Sequence, residues 1–440
     1  MKEKGGKEKT GMCHFPFVVR RMSLRSVGRK LRMEEDLRKK TVSEEQKGIG
    51  NMSSSIKISF TGDVMSYMPQ NEACRKGSSY DYSPVFANAG SFFGESSFVV
   101  GNLETPVAGE DLLYSCKEYS FNTPEPFASA VRDAGFGLVS TANNHCMDRE
   151  FEGLKRTLDT LDRIGLPHIG TARTPEERAE VCIREIGGMR IGFLAYTYGT
   201  NAFAHHHFLP DGHDWAVNLF QPEETLEGAV NLLVNDRRIA AQVNELYRME
   251  NPLFRTRIQP RLERLRSDAA RCRAAGAEFI ILLMHSGGQY NSFPDAYSRT
   301  LEKEMRNMDI DAIVGHHPHV VHPCEVLAGR PVAWSLGNFC CTPSDLRGIS
   351  HFASDYSVVL HLHLQRAEDS GKVEWKKMTF SISKNVVTPG GIAVPFRVDE
   401  LMSSCTDWKS RDCLAKDVEV IANVFRNRCE GVEVEAEYDF

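Results

Sequence analysis

The chain has 440 residues, 41% of them hydrophobic and 25% charged, with a net charge of −6. That is long enough for a large core in one elaborated domain or two, and the acidic balance removes any global electrostatic reason to expect nucleic acid as a partner. Twelve cysteines without a Cys-x-x-Cys pair exclude a small disulfide scaffold and read as mostly free thiols of a reducing compartment.

Residues 1–51 are rich in Lys and Arg and read as a basic, disordered extension, or as an overextended reading frame whose true start is Met52. Phe15-Pro16-Phe17-Val18-Val19 is too short for a secretory apolar region and runs into Arg20-Arg21. No apolar run approaches the roughly 20 residues of a membrane helix. A soluble, cytoplasmic protein is the expectation.

From Ile56 the pattern changes. Ile56-Lys57-Ile58-Ser59-Phe60 alternates as a half-buried strand and ends in Gly62-Asp63. A helix is expected over 83–93, and then a strand Phe98-Val99-Val100-Gly101 that ends in Asn102-Leu103-Glu104. After a helix over 125–134, the strand Gly137-Leu138-Val139-Ser140 ends in Asn143-Asn144-His145, with Asp148 close behind. Leu154, Leu158, Leu161 and Ile164 stand at helical spacing over 151–164. Gly187-Gly188 between two apolar runs reads as a hairpin turn.

The stretch 200–255 is read as a partly helical insertion or lid. It carries His205-His206-His207 and His213, read as surface loop with substrate contact as the lesser alternative. A basic helix is expected over 257–275. The continuous apolar run Phe279 to Met284 reads as a fully buried strand ending in His285. A helix over 297–308 leads to Ala312-Ile313-Val314-Gly315-His316-His317-Pro318-His319, where Gly315 is expected to turn the chain and Pro318 to hold His317 extended. Alternating runs over 356–364 and 373–382 suggest an antiparallel closing sheet, and 391–440 is an extension without a motif.

Strands and helices that alternate, with a polar cluster at each strand end, describe a layered α/β fold. Ligands of such sheets sit beyond the strand ends. Asp63, Glu104, Asn144, His285, His317 and His319 then converge as metal ligands. Carboxylate, amide oxygen and imidazole suit two divalent ions such as Mn, Fe or Zn. A bridged ion pair is a standard device for phosphoester hydrolysis. His145 is placed to protonate a leaving group, and Asp148 to orient it.

These residues, together with Gly315 to His319 and Ser335-Leu336-Gly337-Asn338-Phe339, resemble the CapA family of bacterial capsule-synthesis proteins, named for poly-γ-glutamate synthesis and export. The resemblance spans about Ile56 to Leu364. It implies a four-layer αββα sandwich of the metallo-dependent phosphatase (calcineurin-like) type, over 52–390, with the same six ligands and His145 as catalytic acid. Two departures stand out. Met65 occupies the His position of the metallophosphatase Asp-x-His, which implies one ion site short of a ligand. The expected His-Trp-Gly-x-Glu-Tyr reads His285-Ser286-Gly287-Gly288-Gln289-Tyr290. The implied function is hydrolysis of a phosphoester or related bond. The alternative is a non-catalytic, metal-containing subunit that binds a polyanionic polymer or a partner polymer synthetase.

Overall fold

Alternation in the first strand has a direct structural result. Ile56, Ile58 and Phe60 share one face and are buried in a core that lies between two sheets. The computed structural model describes residues 55–115, 120–223, 245–341 and 354–440. The basic N-terminal segment and residues 224–244 of the expected insertion lie outside the described residues.

The strand Ser55–Val64 runs through the middle of the first sheet. On one side it is parallel to Phe98–Leu103, with Leu138–Ser140 and His168–Ile169 beyond. On the other side Tyr356–Arg366, Val373–Val387 and Ala393–Arg397 follow, each antiparallel to its neighbour. Asn338–Cys340 pairs with the end of the central strand, in register with Asp63. The second sheet runs Cys324–Leu327, Arg330–Ala333, Ala312–His316, Phe279–His285, Met189–Thr197, Cys182–Ile186.

Side chains from both sheets, among them Phe60 and Leu360 of the first and Leu283 and Val314 of the second, form one core cluster between them. On the outer face of the first sheet, Val99 and Val139 pack with Leu154 and Leu158 of the helix Glu150–Ile164. On the outer face of the second, Leu282 and Met284 pack with Ile258 and Leu262 of Pro252–Ala274 and with Leu301 of Ala296–Met305. The order is helices, sheet, sheet, helices: the layered α/β fold expected from the strand pattern, in the four-layer αββα form that the resemblance implies.

Three local expectations are corrected. The helix read over 83–93 is confined to Ala89–Phe93, because Pro84 begins a series of turns, with Val85 N–H donating to Tyr82 O at 3.0 Å. Gly315 does not turn the chain. It lies inside the strand Ala312–His316, and a Cβ there would sit 2.1 Å from the Trp334 carbonyl oxygen, so its role is close backbone approach. His317 is not extended despite the proline after it: its φ is +98°, and His319 also has a positive φ, +59°.

The chain from Ala393 onward, which offered no motif, continues the same body. The helix Trp408–Arg426 sends Leu414, Val418, Ile421 and Phe425 into the inter-sheet core, and Tyr438–Asp439 pairs with Val373–Val387. Cysteines among the described residues are free thiols. Among those residues no helix is long and apolar enough to cross a membrane.

Candidate metal centre

Strand pairing brings the polar strand ends together. Asp63 N–H donates to Gly337 O at 2.8 Å, which draws in the chain just before Asn338. Gly62 permits this approach, since a Cβ there would sit 2.0 Å from that same oxygen. Glu104 N–H donates to Val64 O at 3.0 Å, fixing the two carboxylate-bearing segments side by side. In the second sheet, His285 stands opposite His316 in register, and Ser286 N–H donates to His316 O at 3.1 Å.

Two groups of buried ligand atoms result, each with all its atoms within 4.8 Å of one another: Glu104, His285 and His317, and Asp63, Glu104 and His319. Glu104 belongs to both. Its Oε1 lies 3.4 Å from His285 Nε2 and 3.8 Å from His319 Nε2, and among the described residues it has no hydrogen-bond partner. Asn144 Oδ1 lies 2.7 Å from His285 Nε2, which places the amide oxygen at the first group. All six expected ligand side chains are therefore brought together. His316, the third imidazole of the octapeptide, is turned away, with Nε2 3.0 Å from Thr61 O.

Electrostatics fit a cation. Burial, Asp63 and Asp148 push the Glu104 carboxyl well above its ordinary value. Burial also pushes the Asp63 carboxyl up, but His319, His316 and Asn102 outweigh it and hold it at about 2. His285 and His317 are driven well below the usual imidazole range, first by burial and then by neighbouring imidazoles, which leaves them neutral, the form that ligates. A buried carboxylate oxygen with no donor, close to neutral imidazoles, is a donor set for a divalent ion.

Beside this set, His145 Nδ1–H donates to Asp148 Oδ2 at 2.7 Å. The same oxygen accepts Phe121 N–H at 2.6 Å, and the Phe121 ring stacks on His145 at 4.1 Å. The imidazole is held on its edge and on its face.

Several residues of the site were not picked out by strand-end reasoning. Asn102 Nδ2 donates to Asp63 Oδ1 at 2.9 Å, and Asn338 Oδ1 lies 2.9 Å from His319 Nδ1. Both stand at strand ends, so the same signal marks them. Tyr198, just beyond the strand Met189–Thr197, lies with its ring 4.6 Å from His317. His205 departs from the surface-loop reading: its Nε2 is 3.7 Å from Asp148 Oδ1 and its side chain is 16% exposed, whereas His206 is exposed. No periodicity distinguishes one histidine of three. Met65 is buried with Phe121 and Cys341 in a small apolar cluster and contributes to neither group.

Residues 57–343 match the family described as "Bacterial capsule synthesis protein PGA_cap". The "PGA biosynthesis protein CapA" of Bacillus subtilis (strain 168) is 25% identical over 287 residues, 64% of this chain and 63% of that protein. The "Capsule biosynthesis protein CapA" of Bacillus anthracis is 24% identical over 289 residues, 64% of this chain and 59% of that one. The chain thus matches less than two thirds of the length of either relative. A Staphylococcus aureus crystal structure, provisionally named a 5'-nucleotidase and solved with α-ketoglutarate, is 12% identical at a TM-score of 0.41 and covers 83% of this chain and 58% of that one. At that score the fold rests on the layers themselves. With more than half of the chain inside the matched range, the chain belongs to the bacterial capsule synthesis protein family.

Proposed function

We propose that the chain is a divalent-metal-dependent hydrolase of phosphoester or related bonds, working in capsule polymer synthesis. The observation that carries this reading is a single buried carboxylate, Glu104, common to two groups of ligand atoms, with the His145–Asp148 pair beside them. Glu104, Asn144, His285 and His317 would hold one ion, and Asp63, Glu104 and His319 the other. When bound, such a pair supplies an acidified water and neutralises charge on the reacting oxygens.

The protein's own contribution is proton placement and orientation. Asp148 accepts from His145 Nδ1–H, so Nε2 is the nitrogen that would take up a proton and pass it to the leaving oxygen. Stacking of Phe121 restricts rotation of that ring. Asn102 and Asn338 hold Asp63 and His319 by hydrogen bonds, so those ligands need little reorganisation.

Elemental analysis of the full chain, paired with hydrolysis of an aryl phosphodiester and an aryl phosphomonoester in added Mn²⁺, tests the reading. The expected result is bound metal and measurable turnover, with His145→Ala keeping the metal and losing about 10²–10⁴-fold in rate. No metal regained on adding Mn²⁺, or equal turnover in His145→Ala, would sink it. Bound metal with no turnover on either ester would favour the second reading, a non-catalytic subunit for a polyanionic polymer or a synthetase. Burial of Met65 where the metallophosphatases carry an imidazole is the observation on that side.

A further inference from the structure

The loop 200–209, which follows the strand Met189–Thr197, is built against the proton-donor pair. Glu223 closes its base, accepting from the Thr200 hydroxyl and from Leu209 N–H at 2.8 Å. Inside that closure Ala202–His205 forms a single helical turn, with Asn201 (φ +56°) before it and His206 (φ +58°) after it. The reversal at His206 divides the consecutive histidines: His205 and His207 are partly buried, and His206 is exposed.

Successive contacts seat this loop on the segment that carries His145. Asn144 Nδ2 donates to Asn201 Oδ1 at 3.2 Å. His207 Nδ1–H donates to Met147 O at 3.3 Å. His205 Nε2 stands 3.7 Å from Asp148 Oδ1, an ion-pair distance and longer than a hydrogen bond.

Asp148 is loaded unevenly. Its Oδ2 accepts from both His145 Nδ1–H and Phe121 N–H, at 2.7 and 2.6 Å. Its Oδ1 is closed to solvent and takes no hydrogen bond among the described residues. A buried carboxylate oxygen in that state is costly. The χ2 torsion of an aspartate is also broad, so a carboxylate fastened at one oxygen alone can swing and carry the bonded imidazole with it. His205 Nε2, itself closed to solvent, faces that second oxygen.

We propose that His205 is a positioning residue of the proton donor: its Nε2–H holds Asp148 Oδ1, so that Asp148, fixed at both oxygens, keeps His145 Nε2 directed at the leaving oxygen. The proton passes only from His145 to that oxygen, and His205 takes up none. The inference rests on the role given to His145 under the proposed function.

Hydrolysis by the full chain, in added Mn²⁺, of two aryl phosphodiesters that differ only in the leaving phenol, phenol itself or p-nitrophenol, tests it. Phenolate leaves poorly without a proton, whereas p-nitrophenolate needs little help. His205→Ala should lower kcat about tenfold or more on the phenyl ester, with KM unchanged and a smaller loss on the p-nitrophenyl ester. His205→Gln, which keeps an N–H on the side chain, should regain most of that rate, and His206→Ala should match the wild type. Equal loss on both esters, no loss, no recovery in His205→Gln, or the same loss in His206→Ala would each overturn the proposal. A second readout needs no turnover. The downfield proton resonance of His145 Nδ1–H, identified by its absence in His145→Ala, should shift or broaden in His205→Ala and return in His205→Gln. An unchanged resonance in His205→Ala would overturn the positioning role whether or not either ester is hydrolysed. A shifted resonance without hydrolysis would support the contact and count against the hydrolase reading alone.

Discussion

Glu104 is the residue on which the centre turns, because it is the only side chain common to both ligand groups. Substituting a ligand of one group should empty that group, whereas Glu104→Gln should weaken both. Elemental analysis after dialysis against Mn²⁺ should therefore find less metal in Glu104→Gln than in either Asp63→Asn or His317→Ala. Equal losses in all three would argue against a shared ligand. At this scale much was legible in the sequence. Each of the six ligand candidates follows an apolar run directly or within a few residues, and that position alone directs attention to it. His317 and His319, not His316, were the expected ligands; what could not be read was the partner that His316 takes instead, or that the other two take positive φ. Those outcomes depend on what the opposite sheet presents: Thr61 O to His316, and Asp63 and Asn338 to His319. His205 was missed for the same reason, since its partner, Asp148, lies far away in the sequence.

Among elements, the last strand gives the clearest case of a segment silent in sequence and anchored in structure. Glu437, one residue before Tyr438–Asp439, accepts from Lys57 Nζ of the central strand at 2.6 Å and from the Thr379 hydroxyl. Burial pushes its carboxyl up, but Lys57, Thr379 and His361 outweigh this and hold it at about 2, below its ordinary 4.5. A carboxyl depressed in the folded state adds stability above its unfolded value, and that contribution is lost as pH falls from 4.5 through about 2. Urea unfolding of Glu437→Gln should accordingly show a deficit at pH near neutral that shrinks as the pH approaches the lower value. A deficit constant with pH would assign the effect to packing. The sequence held no cue to this tie, because a two-residue strand has no period to detect. Longer elements were legible in proportion to their periodicity: Glu150–Ile164 begins and ends within a residue of its apolar spacing, and Phe279–His285 is buried throughout, as its unbroken apolar run requires.

For the whole molecule, the four layers follow from where apolar surface must go. A sheet with two apolar faces needs cover on each, and here each sheet has the other on one side and helices on the outer side. The candidate ligands come from both sheets: Asp63 and Glu104 from the first, His285, His317 and His319 from the second. Ion binding should then resist separation of the sheets. Added Mn²⁺ should raise the thermal midpoint of the wild type in a concentration-dependent manner, by an amount equivalent to about 2.7 kcal/mol at a hundredfold excess over Kd. His317→Ala should show a smaller rise. An equal rise in that variant would place the stabilising ion elsewhere.

A ligand set divided in this way also turns the core into a gauge. The distance from Glu104 to His285 and His319 is set by the side chains packed between the sheets, among them Ala195, Leu283 and Val314. Ion radius and preferred bond length differ between Mg²⁺, Mn²⁺ and Zn²⁺ by tenths of an ångström, and close-packed interiors resist changes of that size. If the centre binds ions as proposed, apolar residues that touch no ion would select among them, and a relative of this chain could change its metal by altering a methyl group in the core while keeping every ligand.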